Sequence, residues 1–371
     1  MKSKLPGVGT TIFTVMSQLA ADTDAINLSQ GYPGFDPPRA LTDRVRWHLE
    51  HGANQYAPMA GTPALRQVIT DKVQRFHGQA IDPDTEVTVC TGATEGLFSA
   101  ITASVRPGDE VIVLDPAYDA YEPAVTLAGG KTRHVPLRIA GNGHDFRPDW
   151  ERIADTLTSR TKLIILNFPH NPTGAILSAD DLATLAGLVR DYDCLLVSDE
   201  VYEHIVFPPH HHHYMAALPE MFERTISCSS LSKTYNMTGW RLGYVIADES
   251  VIAGARKVHD FLTVGAAAPL QEAAVTALEL PLDYYAELTA DYVRKRDLFL
   301  EYLDDAGLTY TVPQGAYYVM VDVSAFGVSD DVAFCRWMAK EIGVAAVPGS
   351  SFFHEPVNHL VRLHFARNEA I

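Results

Sequence analysis

Segment 229–244 carries residue types suited to covalent chemistry and to phosphate binding. It reads SSLSKTYNMTGWRLGY, with Lys233 after a run of small and hydroxyl-bearing residues and Arg241 eight residues later. A lysine in a partly dry pocket beside other cations has a lowered pKa and becomes nucleophilic. The Ser230 hydroxyl and an arginine guanidinium suit a phosphate dianion. A solvated lysine on a surface loop is the alternative explanation of this segment taken alone.

A second phosphate-binding signal is TGATEGL at 91–97, which directly follows the apolar run VTVC. A strand, a glycine turn and a helix start leave free backbone N–H groups pointing outward, and the helix dipole adds partial positive charge. The residues that would surround the phosphate are Gly92, Ala93 and Thr94. An ordinary turn between a strand and a helix accounts for this segment equally well when it stands alone.

Two polar residues follow further apolar runs. Asn171 lies in NFPHNPTGA, and Asp199 lies in SDEVYEH. In an open α/β sheet, the loops at the carboxyl ends of the strands border the crevice where ligands bind. A carboxylate at the end of a buried strand must be paired or hydrogen-bonded. The structural alternatives are a plain turn at Asn171 and a helix N-cap at Asp199.

Six short apolar runs predict the strands that position these residues. They span 87–90, 111–114, 163–166, 194–198, 225–228 and 243–247. Their apolarity is continuous rather than alternating, which indicates strands covered on both faces, as in a mostly parallel sheet. Helical spacing at 95–105 and 179–190, the second with Ser178 as its cap, places helices between the runs. The middle of the chain is therefore predicted to be α/β.

The two ends of the chain differ from this middle part. Residues 1–40 are rich in glycine and proline and predict no strong strand. A long helical stretch begins at about Asp283, and strand, helix and strand patterns follow it up to the segment LVRLHFA. We expect these parts to form a smaller α+β unit beside the main sheet.

The composition excludes several classes of partner. The 371 residues include 29 Lys and Arg against 46 Asp and Glu, a net charge of −17 without any basic block, which argues against nucleic acid and membranes as partners. No apolar run reaches the roughly 18 residues of a membrane span. Four widely separated cysteines predict reduced, buried thiols and a cytoplasmic location. The histidine run 210–213 is flanked by prolines and predicts a solvated loop, so we expect no metal site.

Taken together, these segments resemble the fold-type I pyridoxal 5'-phosphate (PLP)-dependent aminotransferases of class I/II. The resemblance covers essentially the whole chain and also rests on INLSQGYPGFDPP, GANQYAPMAGTPALR and DPAYDAYEPA. It is strongest to the branch that holds the methionine and the kynurenine (glutamine) aminotransferases. The implied fold is α/β, the PLP-dependent transferase fold type I. A large domain, 46–280, would hold a mixed, mainly parallel sheet, and a small α+β domain would combine 1–45 with 281–371.

The resemblance also implies roles for single residues toward the PLP cofactor. Lys233 matches the lysine that binds the cofactor covalently, and Asp199 matches the carboxylate that pairs with its protonated ring nitrogen. Tyr202 completes the implied catalytic set and, with Asn171, matches a hydrogen-bond partner of the ring hydroxyl. Tyr118 matches the aromatic residue that stacks on the ring. The implied cofactor contacts are Tyr56, Gly92, Ala93, Thr94, Tyr118, Asn171, Asp199, Tyr202, Ser230, Lys233 and Arg241.

Substrate binding and assembly are implied in the same way. Arg362 matches the arginine that holds the substrate carboxylate, with Asn171 beside it and a backbone contact from Gly31. Tyr56 matches the tyrosine that reaches the phosphate from the partner subunit. The resemblance therefore implies a homodimer with shared active sites.

The implied activity is transfer of an amino group from an L-amino acid to a 2-oxo acid by a ping-pong mechanism. We expect methionine and aromatic donors, because the matched segments offer no arginine for a second carboxylate. Gly265 to Ala268, with Tyr32 and Phe13, would leave room for a long or flat apolar side chain. The alternatives are an aspartate aminotransferase and a cysteine-S-conjugate β-lyase on the same scaffold. A DNA-binding regulator is set aside, because LPGVGTTIF begins at Leu5 and the chain is acidic.

Overall fold

The computed structural model describes residues 2–139 and 145–368 of the chain. Its α-helices are α1 Ile12–Thr23, α2 Arg39–Glu50, α3 Pro63–His77, α4 Ala93–Ser104, α5 Tyr121–Ala128, α6 Trp150–Thr156, α7 Ala179–Val189, α8 Glu249–Thr263, α9 Ala268–Leu278, α10 Leu282–Asp305 and α11 Asp331–Trp337. The strands are β1 Ile26–Asn27, β2 Val87–Cys90, β3 Glu110–Asp115, β4 Lys131–Pro136, β5 Arg138–Ile139, β6 Phe146–Arg147, β7 Thr161–Asn167, β8 Leu195–Asp199, β9 Thr225–Ser230, β10 Gly243–Ile246, β11 Thr309–Tyr310, β12 Tyr318–Asp322, β13 Val344–Ala345, β14 Val347–Pro348 and β15 Leu360–His364.

The main sheet has seven strands in the order β2-β10-β9-β8-β7-β3-β4. Only β10 runs antiparallel to its neighbours, so the sheet is mixed and mainly parallel. All six predicted strands belong to it, and their side chains are buried on both faces, as continuous apolarity predicts. The seventh strand, β4, was not predicted. Its sequence KTRHVP is polar and alternates in burial, because β4 lies at the edge of the sheet.

The helices between the strands begin where the sequence provides caps. Ser178 caps α7, and Asp181 completes a reciprocal capping box, as the spacing of these two residues predicts. Asp248 caps α8 through a hydrogen bond from the Ser250 N–H. Helices α4 and α8 pack together on one face of the sheet, and α6 and α7 belong to the apolar cluster on the other. Because helices cover both faces of the main sheet, the ends of its strands are held in fixed positions at one edge.

A second sheet is built from the last part of the chain, in the order β11-β12-β15-β14. The predicted long helix is α10, and β15 lies inside the segment LVRLHFA. Strand β1 near the N-terminus pairs in parallel with β13, so both ends of the chain meet at this smaller unit. Among the helices of the two described ranges, none is both long and apolar enough to span a membrane.

Candidate active site

A cavity of about 840 Å³ opens where the carboxyl ends of β7, β8 and β9 meet the start of α4. Residues from α1 and from the smaller sheet close its other side. The predicted site residues that line it are Gly31, Ala93, Thr94, Tyr118, Asn171, Asp199, Tyr202, Ser230, Lys233, Arg241 and Arg362. Segments separated by up to about three hundred residues therefore converge on one cavity, at the strand edge where an open α/β sheet binds its ligands.

One end of the cavity is suited to an anion. Gly92 is the N-cap of α4 with a φ of 80°, and the backbone N–H groups of the first turn follow it. The positive φ favours glycine here, and a Cβ at this position would also displace the Arg241 guanidinium. Arg241 itself donates to the Thr238 carbonyl oxygen at 3.0 Å. The Ser230 hydroxyl, which accepts from the Ser232 N–H at 3.2 Å, lines the same end.

Lys233 is partly buried directly after β9. Its Nζ donates to the carbonyl oxygen of Gly31 at 3.1 Å. Burial lowers the pKa of Lys233, and the nearby charges of Arg362 and Arg241 lower it further, against the opposing effect of Tyr318. The solvated surface lysine that the segment alone allowed is therefore wrong. A lysine with a lowered pKa carries a larger fraction of free amine and can act as a nucleophile or a base.

Asp199 ends β8 as a buried carboxylate with 4% of its surface exposed. Its Oδ2 accepts a hydrogen bond from the Tyr121 hydroxyl at 2.7 Å. Burial raises the pKa of Asp199 to about 6, although this hydrogen bond opposes the shift. A helix N-cap is not its role, because no α-helix begins between β8 and β9. The structure thus holds a carboxylate that a nearby positive charge would stabilise.

Arg362 on β15 is 1% exposed and lies under the cavity between aromatic rings. Its guanidinium carbon is 4.2 Å from the ring centre of Tyr318 and 5.1 Å from that of Phe13. It donates to the Asn171 side-chain oxygen at 2.7 Å and to the Ser29 carbonyl oxygen. Its buried Nε has no hydrogen-bond partner among the residues that the structure describes. A buried, incompletely paired guanidinium is suited to a carboxylate ligand.

Aromatic residues form the remaining walls. The Tyr202 hydroxyl lies 2.7 Å from that of Tyr318, and the Tyr118 ring packs edge-on against Tyr121. A Cβ at Gly31 would overlap the Tyr318 side chain, so the close approach of this backbone requires glycine. Burial raises the pKa of both Tyr202 and Tyr118, which keeps their hydroxyls protonated and able to donate.

Three predicted features are absent from the cavity lining of their own chain: Gly92, which is the N-cap of α4, Tyr56, and the segment Gly265–Ala268. Tyr56 is 90% exposed and does not line it. The segment Gly265–Ala268, expected to make room for the donor side chain, is also absent from the lining. It lies instead beside Met59, in the loop that carries Tyr56. The expectation for this segment is therefore wrong within one chain, because residues 265–268 do not line the cavity, whereas Tyr32 and Phe13 do.

Several residues of the site were not identified from the sequence. Tyr121 follows Tyr118 at helical spacing within DPAYDAY, a signal that could have suggested a common face. Asn167 begins the segment NFPHNPTGA and donates to the Asp199 carbonyl oxygen at 3.3 Å. Asp119 lines the cavity with no stronger sequence signal than its position next to Tyr118. Tyr318 reads as an ordinary strand residue, so nothing in the sequence distinguished it.

The histidine run is only partly a solvated loop. His211 and His213 are exposed, but His212 turns inward and its Nε2 lies 3.3 Å from a carboxylate oxygen of Glu200. All four cysteines are free and buried, as predicted. Cys90 lies with Glu95 and His259 in a group whose polar atoms approach one another within 4.8 Å.

The donor set fits the PLP that the resemblance implies. The free N–H groups at the start of α4, with Ser230 and Arg241, match a phosphate dianion. The buried carboxylate of Asp199, with a pKa near 6, matches a protonated ring nitrogen whose charge would compensate its burial. The amine of Lys233 lines the same cavity. Anion site, buried acid and reactive amine therefore occur together in one space of suitable size.

Comparisons with known proteins identify similar chains over nearly the whole length. The chain is 46% identical to methionine aminotransferase of Escherichia coli over 370 residues, which cover 100% of this chain and 95% of that protein. It is 36% identical to a probable N-succinyldiaminopimelate aminotransferase of Mycobacterium tuberculosis, covering 99% and 94%. Identity to a kynurenine–oxoglutarate transaminase of Dictyostelium discoideum is 34%, covering 97% and 91%. The predicted resemblance to the branch that holds the methionine and the kynurenine aminotransferases is confirmed.

The fold expectation is confirmed as well. The solved structure of YbdL from E. coli, identified with a methionine aminotransferase function, superposes with a TM-score of 0.95 at 45% identity, covering 100% of this chain and 96% of that one. The family model described as aminotransferase class I and II matches residues 23–370. The protein therefore belongs to the class I and II aminotransferases, which are PLP-dependent transferases of fold type I.

Proposed function

We propose that this aminotransferase takes the amino group from a neutral L-amino acid, with methionine and aromatic donors favoured, and transfers it to a 2-oxo acid. The name of the E. coli relative supports the donor class. The cavity holds one buried guanidinium for a substrate carboxylate, that of Arg362. Because donor and acceptor each carry such a carboxylate, they would occupy this position in turn. That arrangement supports a ping-pong mechanism with two half-reactions.

The proposed cofactor contacts divide into a phosphate end and a ring end. Gly92, Ala93, Thr94, Ser230 and Arg241 would hold the phosphate through backbone N–H groups, a hydroxyl and a guanidinium. When bound, PLP supplies an electron sink for the carbanion that forms when the substrate loses its Cα proton.

At the ring end, four side chains orient the cofactor. Asp199 would hold a proton at the ring nitrogen, since a buried carboxylate stabilises a neighbouring positive charge. The protonated Tyr202 hydroxyl and the Asn171 side chain would donate to the ring hydroxyl, and Tyr118 would pack against the ring face. These contacts fix the ring relative to Lys233.

The substrate end has its own division of roles. Arg362 and Asn171, already joined by a 2.7 Å hydrogen bond, would bind the substrate carboxylate between them, with the Gly31 backbone alongside. Fixing the carboxylate orients the Cα–H bond toward the base. The Lys233 amine would remove the Cα proton of the donor and would supply the Cα proton of the amino acid that forms in the second half-reaction. Its lowered pKa favours this role.

Donor selectivity rests on the charges that line the cavity. Within the described ranges these are two acids, Asp119 and Asp199, and three bases, all of which have a role above. No further cation remains for the distal carboxylate of an acidic donor. Asp119 adds a negative charge close enough to Arg362 that each shifts the pKa of the other, without an ion pair between them. A second substrate carboxylate would therefore meet repulsion instead of a partner.

Steady-state kinetics with methionine, phenylalanine and aspartate at a fixed acceptor concentration test this proposal. We expect kcat/KM to be highest for the two neutral donors. In Asp119→Asn the ratio of methionine to aspartate should fall about 10-fold, because a charge at short range in a partly dry site is worth more than 1 kcal/mol. Glu122→Gln is the matched control, since it removes the same charge from an exposed side chain of α5 that does not line the cavity. A higher kcat/KM for aspartate would identify an aspartate aminotransferase instead.

We also propose a homodimer in which Tyr56 contacts the phosphate bound by the partner subunit. Tyr56 is 90% exposed on a loop whose Met59 is also exposed. Beside this loop, the end of α8 exposes Phe261, at 92%, and Val264. Exposed apolar side chains on two neighbouring segments support association with a second copy. The four free, buried cysteines support the proposed cytoplasmic location.

A further inference from the structure

Glu95 and His259 form a buried ion pair beside the phosphate-binding turn 91–94. Glu95 lies in the first turn of α4, and His259, which is 1% exposed, lies on α8. The His259 Nδ1 is 2.9 Å and 3.1 Å from the two carboxylate oxygens. Neither side chain lines the cavity, and the function proposed above uses neither of them.

Each member of the pair also holds a second segment of backbone. The Glu95 Oε2 accepts from the N–H of Thr91 at 3.0 Å, and Thr91 directly precedes the glycine of the turn. Its Oε1 accepts from the Ser99 hydroxyl at 2.7 Å. On the other side, the His259 Nε2 lies 2.9 Å from the carbonyl oxygen of Met59. Met59 belongs to the 51–62 loop between α2 and α3, which also carries Tyr56.

The contacts of the His259 ring require both of its nitrogens to donate. Nδ1 faces a carboxylate and Nε2 faces a carbonyl oxygen, so the ring is an imidazolium. Burial acts to lower the pKa of His259, but the hydrogen bond and charge of Glu95 outweigh it and raise the pKa above its usual value. The pKa of Glu95 is lowered, since His259 and Ser99 outweigh its burial. The hydrogen bonds are therefore charge-assisted, which makes them stronger than neutral ones.

We propose that the hydrogen bonds from Thr91 through Glu95 and His259 to Met59 form a clamp that positions the phosphate-binding turn against the 51–62 loop and so strengthens phosphate binding. Glu95 and His259 are positioning residues, because they act on the cofactor only through backbone that they hold. The inference rests on the cofactor of the family and not on the donor class, so its failure would leave the proposed donor selectivity untouched.

The physical basis is preorganisation of the N–H donors. Backbone N–H groups bind phosphate well only when they already point at it, because fixing a mobile residue at the moment of binding costs conformational entropy. The clamp fixes Thr91, the residue before Gly92. Without it the turn would be freer to move, because glycine has no Cβ to restrict its backbone. It would fix the carbonyl of Met59, three residues after Tyr56, in the same way.

The test compares binding of PLP and of pyridoxal, which lacks the phosphate, to full-length cofactor-depleted protein. In His259→Gln we expect the Kd for PLP to rise about 10-fold and the Kd for pyridoxal to change little, since a lost charged hydrogen bond costs roughly that factor. The rate of PLP release from the holoenzyme should increase in parallel. Glu95→Gln keeps an acceptor for the Thr91 N–H but removes the charge, so it should have a smaller effect in the same direction.

His134→Gln is the matched control. His134 also pairs with a carboxylate, that of Asp115 at 2.9 Å, but it lies on β4, at the opposite edge of the sheet from β2. It should leave the preference for PLP over pyridoxal unchanged. The clamp would be overturned if His259→Gln weakened the binding of PLP and of pyridoxal equally. It would also be overturned if His134→Gln weakened PLP binding selectively, as expected for His259→Gln.

A measurement on the unmodified holoenzyme keeps the inference testable if the variants fail to fold. The ¹⁵N NMR signals of the His259 ring should be those of an imidazolium at pH 7.5, well above the ordinary pKa of about 6.5. A neutral ring at that pH would overturn the charged clamp. So would one zinc ion per chain held by Cys90, Glu95 and His259, since that set offers ligands that zinc prefers.

Discussion

Asp199 is a buried carboxylate whose negative charge is costly unless a cation lies beside it. Its pKa of about 6 lies above the ordinary value because burial disfavours the carboxylate, while Tyr121 supplies the only side-chain hydroxyl bonded to it in the described ranges. A cationic ring nitrogen would reverse this cost and hold the acid ionised. The surroundings of Asp199 therefore favour a cofactor ring with a protonated nitrogen over a neutral ring.

Replacement of Asp199 by asparagine should keep the fold and impair catalysis. The amide preserves the shape but cannot hold a proton at the ring nitrogen, so we expect a loss of about 3–5 kcal/mol, or several hundred-fold or more in kcat. Single-turnover kinetics with methionine measure the loss. Tyr121→Phe, which removes one hydrogen bond, should cost far less, about 1 kcal/mol. An Asp199→Asn enzyme within a few-fold of the unmodified one would show that another group protonates the ring.

The pH dependence of cofactor binding follows from the same group. As the pH falls through about 6, Asp199 in the cofactor-free protein takes up a proton and loses the charge that attracts the ring. The affinity for PLP should therefore decrease in this range, and Asp199→Asn should remove that contribution.

The sequence identified the residues that carry most of this chemistry because their types are unusual where they occur. Lys233 and Asp199 each follow an apolar strand, where a charge is costly without a purpose. Tyr121 and Asp119 were not identified, because tyrosine and aspartate are ordinary at the start of a helix. Only the folded chain brings Tyr121 to within a hydrogen bond of Asp199, 78 positions away.

At the scale of elements, burial decides what the sequence could predict. Five of the strands with continuous apolarity lie inside the main sheet, whereas β4 at the edge mixes exposed and buried residues and was not recognised.

The division into domains stays a proposal, with one amendment. A boundary between 45 and 46 would cut α2, which packs against α9, so we propose that the large unit begins at Arg39.

Helix α3 is joined to the wall of the site by a buried ion pair. Lys72 on α3 contacts Glu203 at 2.5 Å, and the side chains of both are at most 4% exposed. Glu203 also accepts from His77 at 3.1 Å and from Ser229 at 2.5 Å, next to Ser230, to which we assign a phosphate contact. Burial acts to raise the pKa of Glu203, but Lys72 and the histidines outweigh it and hold the pKa well below its ordinary value.

We expect Lys72→Met to lower the free energy of unfolding by about 3–5 kcal/mol, because it leaves the Glu203 carboxylate buried without its cation. Denaturant unfolding of the holoenzyme at pH 7.5 measures this. The depressed pKa means that Glu203 stabilises the fold above the unfolded-state pKa of about 4.3, and that this contribution is lost as the pH falls toward its folded pKa. Glu203→Gln should therefore flatten the acid limb of the stability profile. An unchanged acid limb would place the acid sensitivity elsewhere.

For the whole molecule, the separation of Tyr56 from its own cavity has a direct consequence. Tyr56 is 90% exposed, beside an exposed apolar surface, so it would gain the role we propose only if another copy covered it. Within the described ranges, the cavity lining includes the residues to which we assign the phosphate but does not include Tyr56. Catalytic competence would then be a property of the dimer and not of the single chain.

Subunit mixing tests this with two variants that are each defective. Lys233→Ala lacks the reactive amine, and Tyr56→Ala lacks the phosphate contact that we assign to the partner. If the chains exchange at random, half of the dimers combine one of each. In such a dimer one site receives both defects and the other receives neither, so about a quarter of the unmodified activity should return. Activity is measured after refolding equal amounts together, with each variant refolded alone as control. If Tyr56 served its own chain instead, each site in a mixed dimer would carry one defect, and mixing would restore nothing beyond the sum of the two variants.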